Sequence, residues 1–82
     1  KIIQNNDMVV DEVVDVTGLT CPMPIIKLKK GIESIESNKI LELHATDRGI
    51  LNDLPAWSKN AGHTILKTEQ DGPIIKFWIK KK

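Results

Sequence analysis

Hydrophobic spacing along this chain switches between a period of two and a period near 3.6, and that switching constrains the fold more than any other feature. Residues 12–16, Glu-Val-Val-Asp-Val, alternate, with Val14 and Val16 on one face and Val13 and Asp15 on the other, as a strand does. After a Thr-Gly-Leu-Thr loop, the period changes at Pro22. Ile25, Leu28, Ile32 and Ile35 then fall at i, i+3, i+7 and i+10 among lysines and glutamates, which predicts an amphipathic helix of about four turns. Gly31 within it costs on the order of 1 kcal/mol relative to alanine, so a close approach to a sheet is expected there. Residues 38–46 return to alternation, with Leu41, Leu43 and Ala45 inward and Glu42 and His44 outward. Residues 47–62 regain helical spacing through Ile50, Leu54, Trp57 and Ala61, with Asp47 placed as an N-cap and Gly62 as the C′ glycine. Pro55 predicts either a kink or a start near Asp53. Two final alternating runs, 63–70 and 73–80, flank Asp71-Gly72, a hairpin signal. The order is β-α-β-α-β-β.

Two helices with one apolar stripe each cover one face of a four-stranded mixed sheet, giving an α/β (α+β) two-layer sandwich. Val13, Ile40, Ile74 and Trp78 are expected on the other face, with Trp78 marking a candidate docking patch for a partner.

The totals narrow the class. At 82 residues the chain is expected to be one domain, residues 1–82. With 40% hydrophobic and 28% charged residues, it is an ordinary globular sequence and not a disordered or collagen-like one. One cysteine excludes an internal disulfide and fits a reducing compartment. No apolar run approaches the roughly 18 residues of a membrane span, and Lys-Ile-Ile-Gln-Asn-Asn-Asp-Met-Val-Val is too short and polar for a signal sequence. A cytoplasmic protein without membrane contact is therefore expected. The net charge of +1 is too small to drive general nucleic-acid binding, and Phe77, Trp57 and Trp78 do not interleave with basic residues, so direct RNA binding is not expected. The distribution of charge says more: Lys27, Lys29 and Lys30 crowd one segment and Lys80, Lys81 and Lys82 another, the first group being a candidate partner-binding surface.

The single thiol lies in Gly-Leu-Thr-Cys-Pro-Met-Pro, residues 18–24. Pro22 is expected at the first helical position, where its missing N–H costs nothing, and Pro24 still within the first turn. Cys21 then falls at or next to the N-cap, where the helix dipole and free backbone N–H groups favour a thiolate. The three lysines further along the same helix add positive potential. A free cysteine in a small domain also serves as simple packing; the proline pair and the loop-to-helix position favour chemistry here. A dithiol cycle within one chain lacks its second cysteine. A Cys–His hydrolase would need His44 or His63 beside Cys21, and neither is placed as a base. One cysteine and two scattered histidines make no metal site, and no cofactor motif is present. What survives is a thiolate that accepts a group and gives it away, for which a persulfide anion at a helix N-terminus is well suited.

The segments Gly-Leu-Thr-Cys-Pro-Met-Pro-Ile-Ile-Lys-Leu-Lys-Lys, Ala-Thr-Asp-Arg-Gly, Asp-Leu-Pro-Ala-Trp, Ala-Gly-His-Thr-Ile-Leu and Lys-Phe-Trp-Ile-Lys-Lys resemble the TusA/SirA/YedF family of small sulfur carriers, over nearly the whole chain from Val13 to Lys80. The resemblance implies a β-α-β-α-β-β two-layer sandwich. It also implies that Cys21 takes sulfane sulfur from a cysteine desulfurase or related donor and passes it to an acceptor protein, in one branch toward tRNA 2-thiouridine. Gly18, Cys21, Pro22 and Pro24 match its motif; Asp47, Asp53, Pro55, Trp57, Gly62 and His63 match its second stretch, read as mainly structural. Asp47 and Arg48 are candidates for supporting the thiol. The chain departs from the family in reading Ala-Trp-Ser-Lys-Asn where the tRNA-thiolating branch has a further cysteine, and Asp-Arg where many members have Asp-Pro. The end use of the sulfur is therefore left open. A relay protein, not a self-sufficient catalyst, is expected. The rivals are a protein- or RNA-binding regulatory module with an incidental thiol, and a redox sensor that forms an intermolecular disulfide.

Overall fold

The structure is a computed structural model, and it describes residues 10–20 and 22–82. The element order is β1 (Val10–Val16), α1 (Met23–Glu33), β2 (Ile40–Ala45), α2 (Ile50–Ala61), β3 (Thr64–Asp71) and β4 (Ile74–Lys80). The sheet order is β1-β2-β4-β3, with β1 parallel to β2 and the other two pairs antiparallel. The predicted order and layer arrangement are both present. Leu41 and Leu43 of β2, Phe77 and Ile79 of β4 and Val16 of β1 are fully buried against Leu28 and Ile32 of α1 and Ile50 and Leu54 of α2, forming one core. No helix among the described residues is long and apolar enough to cross a membrane.

Gly31 performs the close approach expected of it. A Cβ there would lie 2.7 Å from Val14 Cγ2 and 3.0 Å from Leu41 Cδ1, so the helix rests directly on the first two strands.

Several boundaries differ from the sequence expectation. Helix α1 is 11 residues long, shorter than four turns, because Ser34 caps it: its N–H and hydroxyl both donate to the Gly31 carbonyl, at 3.1 and 2.6 Å. Ile35 lies beyond the helix yet still packs on the core. Helix α2 starts at Ile50, not Asp53, and carries Pro55 in its interior. Burial of Ile50 and Leu54 (2% and 0% exposed) outweighs the one intrahelical bond that proline forfeits. Asp47 is not the N-cap. Gly49 holds that position, with no side-chain cap, while Asp47 accepts the Gly49 N–H at 3.3 Å. Gly62 ends the helix with φ +87° as expected. On α2 the sequence pattern overlooks Ser58, which is buried and donates to the His63 carbonyl at 3.0 Å.

Both outer strands carry an irregularity. The register shifts between Val10 and Glu12 in β1 and between Ile65 and Lys67 in β3. Within the first, the Asp11 carboxylate accepts the Ile40 N–H at 3.3 Å.

The face away from the helices carries Val13, Glu42, His44, Lys76 and Trp78. Val13 is 55% exposed, whereas Ile40, Ile74 and Trp78 are half-buried. Trp78 donates through Nε1 to Glu42 at 2.9 Å, Lys67 lies 5.3 Å from its ring centroid, and Glu42 also contacts His44. A charged network thus engages the tryptophan from both sides.

Two predictions follow from packing. Gly31→Ala gains helix propensity but overpacks against Val14, and the net loss of stability is about 1 kcal/mol, read as a lower urea midpoint at unchanged slope. The second concerns His63, whose Nδ1 accepts the Lys82 N–H at 3.1 Å and whose ring lies 5.2 Å from that of Trp57. Burial, then the charges of Lys82 and Lys81, holds its pKa below the ordinary 6.5. The folded state therefore favours neutral His63, so this contribution is complete above about pH 6.5 and declines as pH falls through the lowered value. Melting temperature measured across that range should fall with acidity, and His63→Gln should flatten the response.

Candidate functional site

The parallel pairing of β1 with β2 aligns Val16 with Ala45, so the chain leaves both strands at the same edge of the sheet. The loops that follow, residues 17–22 and 46–49, meet there, and each leads into the first turn of a helix. The first loop is tightly built. Thr17 donates through its N–H and hydroxyl to Asp15 Oδ1, at 2.9 and 2.7 Å, which holds the Asp15 carboxyl below the usual carboxylate range. The Leu19 N–H returns to the Val16 carbonyl at 3.2 Å, closing a turn whose third residue, Gly18, has φ +83°. The Gly18 N–H donates to Thr46 Oγ1 at 2.8 Å, which ties the first loop to the second.

Helix α1 then begins with Pro22 as N-cap (φ −97°, ψ 9°), Met23 as its first residue and Pro24 at N2. The expectation that Pro22 is the first helical residue is corrected by one position. The Met23 N–H, bonded to the Thr20 carbonyl at 2.9 Å, draws the preceding turn into register ahead of the helix. Cys21 itself lies outside the described residues, so its flanks, Thr20 and Pro22, define this part of the candidate site.

Pro24 is buried, and with Ile25, Asp47, Ile50 and Asp53 it lines a shallow cleft between the first turns of the two helices. Asp47 therefore reaches the α1 start, as the sequence reading proposed; Arg48 is exposed beside it. The first turn of α1 contains no acidic residue of its own, whereas that of α2 contains Asp53. Lys27, Lys29 and Lys30 are exposed along α1. Trp78 is not part of this assembly: it sits in mid-sheet on the opposite face. His44 shares that face, and His63 precedes β3 beside Trp57, so neither histidine adjoins the α1 start. Among the described residues no cluster of His, Asp or Glu could hold a metal ion.

Two contributors escaped the sequence reading. Thr46 was passed over because its partner, Gly18, is 28 residues away and becomes adjacent only through parallel pairing. Asp53 was read only as a capping residue, whereas it also faces the cleft.

Gly18→Ala should destabilise the fold by about 1 kcal/mol. No atom lies within 4 Å of an added Cβ, so the whole cost is the positive φ. Thr46→Val should cost about 0.5–1 kcal/mol through the lost acceptor. Chemical denaturation of each variant tests both values.

Comparison with known proteins places this architecture. Residues 12–81 match the family described as Sulfurtransferase TusA. The chain is 55% identical over 71 residues to YrkI of Bacillus subtilis (strain 168), covering 87% of this chain and 95% of YrkI. It is 35% identical over 71 residues to the sulfur carrier protein TusA of Allochromatium vinosum, covering 87% and 93% of the two chains. It is also 33% identical over 76 residues to the sulfur carrier protein TusA of Pseudomonas putida (strain GB-1), covering 93% and 95%. With its fold, its proline-bracketed helix start and this extent of similarity, the chain belongs to the TusA family.

Proposed function

We propose that this chain is a sulfur carrier in which Cys21 accepts sulfane sulfur as a persulfide from a donor protein, such as a cysteine desulfurase, and relays it to an acceptor protein in the cytoplasm. The observation that carries this reading is the start of α1: a proline N-cap directly after Cys21 in the chain, a second proline at N2, and a first turn free of acidic residues. The positive end of the helix dipole is therefore left uncompensated by the helix's own sequence, an environment that favours a sulfur anion. Relatives named as sulfur carriers support the same reading.

In loading, the Cys21 thiolate attacks the terminal sulfur of the donor's cysteine persulfide. A new S–S bond forms at Cys21, the donor's S–S bond breaks, and the donor cysteine departs as a thiolate with the electron pair. Unloading repeats the step, with the acceptor thiolate as attacker and Cys21 as leaving group. No external oxidant or reductant is consumed. The carrier's contribution is to stabilise its sulfur both as nucleophile and as leaving group, so it acts as a relay and not as a self-sufficient catalyst. Gly18, Pro22 and Pro24 fix the turn and the helix start, and Asp47 with Arg48 flank the approach on the α2 side.

Incubation with a cysteine desulfurase and cysteine should add about 32 Da, one sulfur atom, to the intact protein, and dithiothreitol should remove it. Cys21→Ser should show no gain. Loading that persists in the serine variant, or a native chain that takes up no sulfur, overturns the proposal.

A further inference from the structure

The outward face of α1 carries a pattern that folding does not require. The helix meets the core through Pro24, Leu28 and Ile32. Met23, Ile26, Lys27 and Lys30, at i, i+3, i+4 and i+7, share the opposite face. Met23 is 41% exposed and Ile26 40%, and Pro22 beside them is exposed too. Lys27 and Lys30 follow directly, with Lys29 at their flank, and none of the three forms an ion pair among the described residues. An apolar first turn next in the chain to Cys21 is thus backed by a strip of unpaired cations.

Resting on the carrier reading, we propose that this face docks the sulfur donor, and that the occupant is a protein surface with an apolar socket and an acidic rim. Charge complementarity selects the partner. Three unpaired ammonium groups on one short helix attract carboxylates and orient their approach. Met23 and Ile26 fit an apolar socket and exclude water where the two sulfurs meet. Nucleic acid is the less favoured occupant, because the net charge is only +1 and no aromatic side chain is presented on this face for base stacking.

The test compares the native chain with Lys27→Glu/Lys30→Glu, and with Lys39→Glu/Lys59→Glu as a control of equal charge change elsewhere. The probe is a cysteine desulfurase with cysteine, and the readout is the second-order rate of sulfur loading by mass spectrometry. The α1 variant should load roughly tenfold more slowly at low salt, with the gap closing as salt rises; the control should load at the native rate. Alkylation by uncharged iodoacetamide should proceed equally in all three chains, which separates docking from thiol reactivity. Equal loading of the two double variants overturns the docking proposal while leaving the carrier function intact. A parallel fall in alkylation also overturns it, since the lysines would then act on the sulfur itself. Inhibition of native loading by added tRNA, lost in the α1 variant, assigns the face to RNA and equally overturns it. A native chain that takes up no sulfur defeats the carrier reading on which the proposal stands.

Discussion

Because β1 and β2 run parallel, the chain must leave both strands at one edge and return over the sheet through α1. Every feature of the candidate site descends from that requirement. The two loops after the strands become neighbours, a Gly18–Thr46 hydrogen bond joins them, and the first turns of both helices face one cleft. Had the two strands paired as a hairpin, the cysteine-bearing loop and the Asp47 loop would lie at opposite edges. Gly31 then sets the depth: with no side chain between α1 and Val14, the helix settles onto the sheet and the loop before it has little slack.

This arrangement also divides labour between the faces of α1. Pro24, Leu28 and Ile32 hold the helix down, which leaves the opposite side free of structural duty. A single 11-residue helix therefore anchors the fold, forms the start at which the thiol is carried and offers the surface beside it. The sheet's other face behaves differently. Its tryptophan is engaged by Glu42 and Lys67, so the aromatic ring helps order the exposed side of the sheet.

The elements were legible in the sequence because their burial follows simple periods. Leu41, Leu43 and Ala45 alternate inward as spacing dictates, and so do Ile75, Phe77 and Ile79. What escaped depends on competition between local and distant forces. Pro22 was displaced by one position because Met23 bonds back to Thr20, and no periodicity encodes that. Asp47 has the chemistry of an N-cap, yet the helix begins three residues later, where Ile50 reaches the core. Ser58 breaks the apolar stripe and is buried because the His63 carbonyl receives its hydroxyl. Ile35 kept the helical rhythm after the helix had ended, since its packing survives the turn. Within the site, Gly18 and the prolines announced themselves by residue type, whereas Thr46 needed the topology.

The two outer strands of the sheet both depart from regular pairing, β1 near Asp11 and β3 near Leu66. A flat, regular outer strand would offer its unpaired backbone to any copy that drifted alongside. A kinked one offers a poor template. For a small protein whose proposed work is a succession of brief meetings with different partners, that irregularity favours the discrete molecule over its own stacks, and keeps it free to be handed on.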